Sequence, residues 1–278
     1  MTDFATAHPL KTLLERLAVE PAVLVEVHAT EGSAPRDTGA WMAVFPDAVI
    51  ATIGGGHLEW DAIAQARAQL ASGPTHGDAG LRRVMLGPSL GQCCGGVVVL
   101  RMQRIESHDA PALARRLTGQ WQSRLRPVAL FGSGHVGHAL ARVLAPLPFA
   151  LTWIDSRDGV FPNPPPAGVA CEHSDPVQAA VPQLAGQSRV LIMSFSHAED
   201  LDVLAACLLR QRERGDLPYI GLIGSKTKRA VFRHRLEARG FTADELAHVT
   251  SPIGVAGITG KEPEVIAVAV AAQLLQTG

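Results

Sequence analysis

The chain lacks several features that mark specialised classes of protein. Its 278 residues carry a formal net charge of −1, so no basic surface is expected for nucleic acid or for a membrane. No uninterrupted apolar stretch approaches the ~20 residues that a transmembrane helix requires. Residues 1–10 do not show the cationic segment and apolar run of a signal peptide. These absences predict a cytoplasmic protein without nucleic-acid or membrane partners.

Cysteine and lysine are both scarce. The chain has four cysteines, which form neither a disulfide framework nor a CxxC pair: Cys93, Cys94, Cys171 and Cys207. Only four of the 25 basic residues are lysines, and three of those lie beside glycine-rich turns in the last quarter of the chain. A lysine is a compact cation that suits a phosphate, so these three are candidate phosphate contacts: Lys226, Lys228 and Lys261.

Composition and pattern predict a two-domain α/β protein. Apolar residues make up 47% of the chain and charged residues 18%, as in soluble globular proteins, and the length suffices for two domains. We predict a small N-terminal α+β domain over residues 1–108 and a linker with a short helix over 109–126. A Rossmann-like domain with a doubly wound parallel sheet is predicted over 127–278, where strand and helix patterns alternate.

The pattern also predicts a hairpin across Pro46 and Asp47, formed by residues 40–45 and 48–53. In the second domain it predicts a helix over 176–184 and a buried strand over 190–195.

A doubled cysteine is the most unusual feature of the first domain. Cys93 and Cys94 lie in a glycine-rich stretch, residues 87–96, just before the apolar strand pattern of residues 97–100. The glycines, including Gly95, would let a ligand approach the backbone closely. One interpretation is an exposed thiolate offered to a cofactor or metal. The other is two small buried residues beside a tight turn, since free cysteine is usually buried.

Two further glycine-rich loops lie in the first domain, at residues 32–39 and 54–56. Gly54, Gly55 and Gly56 follow a strand pattern and open a helix pattern that runs to about Leu70. Free N–H groups at a helix start, together with the helix dipole, can bind an anion. The segment therefore predicts either an anion site or a flexible connector.

The second domain opens with a dinucleotide-binding pattern. Gly132, Gly134 and Gly137 form a GxGxxG motif between a strand and a helix, and Asp155 closes the next strand. The glycines would allow a tight turn, approach to a pyrophosphate and close packing of helix on strand. Asp155 would accept hydrogen bonds from a ribose, whereas Arg157 could meet a 2′-phosphate, so NAD and NADP are not distinguished. The alternative is a Rossmann-type fold without a dinucleotide.

Other polar residues are predicted at the same end of the sheet. In doubly wound sheets the ligand crevice lies outside the carboxyl ends of the strands. Besides Asp155, the pattern places there Ser133, His135, His197, Ser225 and Lys226. Taken singly, His197 could be a helix cap and Lys226 a solvated surface residue. Their shared location favours a site.

The last part of the chain, residues 251–278, combines a glycine-rich loop with a helix. Lys261 precedes the helix, which begins near Glu264 and is rich in alanine and valine throughout. Such a helix needs a surface to pack on. We expect that surface to belong to the first domain or to a second subunit.

These motifs, taken in order, resemble the XdhC/CoxI family of accessory proteins for molybdenum hydroxylases. The resemblance rests on Glu31–Arg36, Thr52–Gly56, Gln92–Gly96, Gly221–Ser225, Ser251–Gly254 and Gly260–Lys261, which cover nearly the whole chain. The doubled cysteine is most similar to the branch that serves xanthine dehydrogenase.

The resemblance implies a cofactor carrier more than a catalyst. Such a protein would bind the molybdenum cofactor, molybdenum–molybdopterin, and hold it while a cysteine desulfurase exchanges an oxo ligand for sulfido. It would receive the cofactor from a donor protein and deliver it to the molybdenum-binding subunit of xanthine dehydrogenase. The family's Cys-Gly-Gly motif matches Cys94, Gly95 and Gly96, so Cys94 is the first candidate for the molybdenum contact and Cys93 the second. A homodimer would suit a carrier that meets a dimeric client.

The residues themselves are compatible with that cargo, and they leave two alternatives. Glycine-rich helix starts could hold the cofactor's phosphate, at 54–56, 132–137, 224–226 and 260–261. A thiolate suits a metal–dithiolene centre, and a cation such as Arg36 would lower its pKa. The first alternative is an NAD(P)-dependent oxidoreductase that uses Gly132–Gly137 and Asp155. The second is a partner-docking module with a vestigial fold.

Overall fold

A computed structural model describes residues 9–72, 80–86 and 95–277, which divide into two units, Ala7–Ser123 and Arg124–Gly278. The first unit contains a five-stranded antiparallel sheet of order β3-β2-β1-β5-β4. Its strands are β1 (Ala22–Glu31), β2 (Trp41–Val44), β3 (Val49–Ala51), β4 (Gly80–Met85) and β5 (Val97–Ile105). The predicted hairpin across Pro46 and Asp47 is therefore confirmed.

Helices cover both faces of this sheet. Helix α2 (Gly56–Ala71) packs on one face through Leu58, Ala62 and Ala66. Helices α1 (Pro9–Leu17) and α3 (Ala110–Gln122) pack on the other face, and a 3₁₀ turn over Ser107–Asp109 precedes α3. Burial on alternate sides of each strand therefore produces two apolar layers.

Helix α3 differs from the expected linker. It buries Leu113 and Leu117 in the same apolar cluster as Leu13 of α1. The guanidinium of Arg116 also forms an ion pair with the buried carboxylate of Glu26 on β1. Most of segment 109–126 is thus an integral layer of the first unit.

The second unit is a six-stranded, fully parallel sheet of order β11-β10-β9-β6-β7-β8. Its strands are β6 (Arg126–Phe131), β7 (Phe149–Asp155), β8 (Val169–His173), β9 (Arg189–Ile192), β10 (Tyr219–Leu222) and β11 (Val249–Thr250). Counted from its own first strand, the order is 3-2-1-4-5-6, which is that of the Rossmann fold. The predicted fold class is confirmed for both units.

Helices on each face of the parallel sheet form two separate cores. Helices α4 (His135–Leu144) and α8 (Pro263–Gln276) pack on one face. Helices α5 (His197–Arg214), α6 (Lys226–Ala238) and α7 (Ala243–Ala247) pack on the other. The inner face of α8 is therefore buried within its own unit, against α4, where we had expected the first domain or a second subunit.

Two predicted elements differ in kind or length. Segment 176–184, expected to be an α-helix, is a 3₁₀ helix over Val177–Gln183, because Pro182 lies inside it and cannot donate a helical hydrogen bond. The strand predicted over 190–195 ends at Ile192. It ends there because the Ser194 N–H turns away to the side chain of Asp200.

Candidate functional site

The strand order creates a crevice at the carboxyl ends of β6 and β9. The chain leaves β6 toward α4 on one face of the sheet and leaves β9 toward α5 on the other. At such a switch point two neighbouring loops diverge and leave a gap in which doubly wound proteins bind ligands. The loops here are residues 132–134 after β6 and residues 193–196 after β9. We call this gap the switch-point crevice.

The structure requires glycine at two of the three glycine positions of the GxGxxG loop and not at the third. Gly132 has a φ of +115°, and a Cβ there would lie 2.0 Å from the carbonyl oxygen of Met193. A Cβ at Gly137 would lie 2.2 Å from the carbonyl oxygen of Gly132. At Gly134 the φ is −83°, and a Cβ would meet no atom within 4 Å. Packing therefore explains Gly132 and Gly137, whereas Gly134 borders open space.

The start of α4 has no side-chain cap. Gly134 occupies the N-cap position and can offer no side-chain oxygen to the first N–H groups of the helix. Helices α5 and α6 differ, since the hydroxyls of Ser196 and Ser225 accept from Glu199 N–H and Lys228 N–H. The uncapped amides of α4 are thus suited to an external anion.

Asp155, the predicted ribose contact, is bound to groups of the protein itself. It is 1% exposed and accepts four hydrogen bonds, one from the Ser133 N–H at 2.6 Å and three from Arg157. A carboxylate has about four acceptor positions, so none remains for a ribose. Burial opposes ionisation, but the bonds from Arg157 and Ser133 outweigh it, and the pKa of Asp155 is lowered.

Sequence reasoning missed an exposed aromatic ring in the crevice. Phe195 was assigned to a buried strand, yet it is 65% exposed on the loop after β9. The guanidinium carbon of Arg157 lies 4.4 Å from the centre of its ring. Asp155 therefore orients Arg157, and Arg157 supports Phe195. The sequence pattern did not show that β9 ends at Ile192, before Phe195.

A carboxylate joins the two sides of this crevice. Glu199, in the first turn of α5, accepts from the Ser156 hydroxyl at 2.8 Å and from the Phe195 N–H at 3.1 Å. Ser156 follows β7, so this contact holds the loop after β9 beside the end of β7. These two hydrogen bonds hold the backbone of the loop at Phe195 and connect the start of α5 to the residue after β7.

The remaining predicted residues at this end of the sheet are divided. Ser133 is buried, and its hydroxyl donates to the Val160 carbonyl, while His135 and His197 are exposed at the starts of α4 and α5. Lys226 is exposed, as its alternative interpretation stated.

The lysine held in this part of the fold is Lys228. Its ammonium lies 2.5 Å from the carboxylate of buried Asp200 and 3.0 Å from the Ile223 carbonyl oxygen. Helical spacing turns position 228 inward, whereas position 226 faces solvent.

In the first unit, one of the amides predicted to bind an anion, the Gly55 N–H, already donates to a carboxylate. The carboxylate of Glu59 accepts from the Ile53 N–H and the Gly55 N–H, each at 3.0 Å, and from the Thr52 hydroxyl. The helix start at residues 54–56 therefore binds its own side chain. A glutamate in the first turn of a helix favours contact with the free N–H groups at that helix start. Glu59 is therefore the residue from which this contact could have been predicted in the sequence.

The glycine-rich loops of the first unit come together at one edge. A Cβ at Gly54 would lie 2.6 Å from the side chain of Pro35. One at Gly96 would lie 2.1 Å from the carbonyl oxygen of Ser33. Loop 32–39 thus touches both loop 54–56 and the start of β5, and exposed Arg36 lies on it. We call this place the loop junction.

The cysteine predictions meet the limit of the described chain. Cys93 and Cys94 lie outside the described residues, so their predicted roles remain predictions; Gly95, which is described, is exposed with open space at its Cα. Partial desolvation raises the pKa of Cys171, although that residue is exposed, and full burial raises the pKa of Cys207 to about 12, so both are poor thiolates. Among the described residues, no group of three or more His, Cys, Asp or Glu side chains could hold a metal.

No described helix is both long enough and apolar enough to cross a membrane.

Comparisons with known proteins match both units. Residues 128–274 match the family model of the XdhC Rossmann domain. Residues 16–83 match the family model of the XdhC and CoxI family. A protein of Escherichia coli K12, the uncharacterized protein YqeB, is 24% identical over 258 residues. That alignment covers 92% of this chain but 43% of YqeB, so the chain spans less than half the length of this curated relative.

A solved structure has the same fold. It is a Bacillus halodurans protein described as a xanthine dehydrogenase, with a TM-score of 0.72 and 21% sequence identity. The similarity covers 97% of this chain and 95% of the other. At that identity the likeness concerns the fold alone.

Proposed function

This chain belongs to the XdhC and CoxI family, and from that membership we propose that it is an accessory protein in the maturation of xanthine dehydrogenase. In this proposal it binds the molybdenum cofactor, holds it during sulfuration and delivers it to the molybdenum-binding subunit. The cofactor is cargo, and the protein acts as a carrier more than as a catalyst. The observation that carries the proposal is that family models match residues in both units.

The switch-point crevice has groups that fit the phosphate end of this cargo. The first amides of α4 have no side-chain cap, and Gly134 leaves space where a Cβ would otherwise stand. A phosphate placed there would accept from backbone N–H groups and be stabilised by the helix dipole. A glycine that packing does not require is explained by such a close approach.

The same crevice has a surface that fits the pterin ring. Phe195 is exposed and supported by Arg157, which Asp155 holds in place. A flat heteroaromatic ring can stack on an aromatic side chain or on a guanidinium plane. The described residues therefore suit both ends of a pterin phosphate.

The sulfur chemistry would belong to Cys94, with Cys93 as the second candidate. Both precede Gly95 and the loop junction, where Arg36 lies exposed. A cation and backbone amides near a thiol favour the thiolate, which is the form that binds soft metals. A cysteine desulfurase, a cofactor donor protein and the hydroxylase subunit are the proposed partners, with a homodimer as the proposed assembly.

The dinucleotide alternative uses the same crevice but a different contact. NAD(P) would need an acceptor for its ribose, and the acceptor positions of Asp155 are taken by Ser133 and Arg157. A ribose would have to displace Arg157 from a buried carboxylate. The carrier proposal needs no such exchange, because it uses Arg157 where it lies.

The proposal is tested by purifying the protein from cells that make the cofactor and measuring bound molybdenum and pterin. We expect wild type to retain both, and the double variant Cys93→Ala/Cys94→Ala to lose most of the molybdenum. Cys171→Ala is the matched control, because Cys171 is exposed and lies on β8. Absence of cofactor in freshly purified wild type would overturn the proposal, as would undiminished retention in the double variant.

A second arm addresses the crevice. Gly134→Ala should lower pterin retention at least about tenfold, because each 1.4 kcal/mol of lost contact is tenfold in affinity. Gly119→Ala is the control, since Gly119 is also unobstructed but lies on α3. Titration with NAD(H) and NADP(H) completes the arm: micromolar binding that Gly134→Ala abolishes would favour the oxidoreductase alternative.

A further inference from the structure

A separate cavity lies in the second unit, between α6, α7 and the edge strand β11. It has a volume of about 120 Å³. An engineered apolar cavity of roughly this size, ~150 Å³, binds benzene. Most of its lining residues are apolar, and the larger ones are Leu204, Leu222, Phe232, Leu236, Leu246 and Val249. The space is therefore sufficient for one small ring or a short aliphatic chain.

One buried polar group in its wall has no partner. Ser251 is 5% exposed, and its hydroxyl forms no hydrogen bond with any described residue. Buried hydroxyls are nearly always paired, because desolvation without a bond costs about 1–3 kcal/mol. An unpaired hydroxyl of a residue that lines a cavity can gain a partner there by a change of its χ1 rotamer.

A cation also lies at the cavity. Arg229 also lines the cavity, and it donates to the carbonyl oxygen of Ser251 at 3.1 Å. No carboxylate among the described residues pairs with Arg229. Arg233, one turn further along α6, already pairs with Glu237 at 2.9 Å. The available charge at the cavity is therefore that of Arg229.

We propose that this cavity is a binding site for a small carboxylic acid with an apolar body, of about the size of benzoate. Its ring or chain would fill the apolar floor. Its carboxylate would accept from the free donors of Arg229 and, after a change of the Ser251 rotamer, from the Ser251 hydroxyl. Small-molecule sites usually combine apolar lining residues with a small number of polar groups, and a guanidinium is a strong, bidentate donor to a carboxylate.

This site is independent of the proposed function. Arg229 follows Lys228 on α6, but the two side chains bind different parts of the fold, Ser251 and Asp200 respectively. The motif that contains Ser251 was noted in the sequence and has no part in the switch-point crevice. A ligand here would contact the outer helices α6 and α7 and leave the crevice open.

The experiment is a calorimetric titration of the full chain with benzoate, and with benzyl alcohol as a neutral ligand of similar shape. We expect benzoate to bind at least about tenfold more tightly than benzyl alcohol. Arg229→Gln should remove that difference while leaving benzyl alcohol unchanged. Arg235→Gln is the matched control, since Arg235 is exposed on the same helix and does not line the cavity.

A second variant keeps the test decisive. Ala247→Phe places a ring at the cavity from an exposed position on α7 and should abolish benzoate binding, with an unchanged circular dichroism spectrum. Failure of benzoate to bind at ~10 mM would overturn the proposal. Binding that survives both Arg229→Gln and Ala247→Phe, or a crystal structure with benzoate in which only ordered water contacts Ser251, would overturn it as well.

Discussion

Asp155 illustrates how one side chain can organise a site without contacting its ligand. Its carboxylate binds the Ser133 N–H at the turn after β6 and the guanidinium of Arg157. Arg157 in turn lies over Phe195. Three strand ends, those of β6, β7 and β9, are thereby linked through a single buried charge.

Replacing Asp155 with Asn should destabilise the protein by about 2–3 kcal/mol at pH 7, because breaking a buried pair leaves its partners unsatisfied. The folded-state pKa of Asp155 is lowered from an ordinary 3.8, so its stabilisation is present above that pH. It is lost as the pH falls through the lowered value. The difference between variant and wild type should therefore shrink below about pH 4. Urea unfolding at several pH values measures it.

Asp158→Asn provides the control, since Asp158 lies three residues away and its side chain is 92% exposed. We expect a change within about 0.5 kcal/mol, as for most surface substitutions. Equal effects of the two substitutions at pH 7 would contradict the structural role of Asp155.

At the scale of elements, α8 is attached to the second unit by both apolar and polar contacts. Its inner face buries Ala267, Val270 and Leu274 against α4. Gln273 on the same helix accepts from the Tyr219 hydroxyl at 2.6 Å and from the Gly254 N–H at 2.7 Å. The alanine- and valine-rich pattern predicted a packed helix correctly, but not which surface it packs on.

Leu274 and Leu275 test this orientation as neighbours with opposite surroundings. Leu274 is 0% exposed and Leu275 is 45% exposed. Leu274→Ala should cost about 2–5 kcal/mol of unfolding free energy, because it removes buried apolar contact and leaves a cavity. Leu275→Ala should cost less than about 1 kcal/mol. Similar midpoints in thermal or urea unfolding for both variants would show that the helix face is assigned incorrectly.

At the scale of the whole molecule, each unit has its own two apolar cores. The first unit closes with α3, whose Leu113 and Leu117 complete the layer on α1. The second unit begins at Arg124, and the guanidinium of Arg126 binds the Thr277 carbonyl oxygen at 2.7 Å. The two ends of the second unit are therefore joined to each other.

Fragments should reveal these limits. We expect residues 7–123 and 124–278 each to unfold cooperatively when expressed alone. Residues 7–108 should be unfolded or aggregate, because loss of α3 exposes an apolar sheet face and removes Arg116, the ion-pair partner of Glu26. Circular dichroism and urea unfolding of the three fragments measure whether each one folds and unfolds cooperatively. A cooperative 7–108 fragment would contradict the assignment of α3 to the first unit.

Much of the fold could be predicted from the sequence because its signals are local. Strand and helix periodicities and the GxGxxG spacing depend on residues close together in the chain, and they indicated the parallel sheet and its crevice. The same holds for the hairpin across Pro46 and Asp47. The glycines 132 and 137 serve the turn and the packing that their spacing implied.

What only the tertiary structure decided is which partner each group finds. The amides of Ile53 and Gly55 bind Glu59. Asp155 binds Arg157 where a ribose was expected, and Lys228, not Lys226, is held beside Asp200. The pairing of a buried polar group is set by every donor and acceptor that the fold brings near it. The sequence therefore determined the architecture and the location of the crevice, while three-dimensional packing decided which of its polar groups remain available to a ligand.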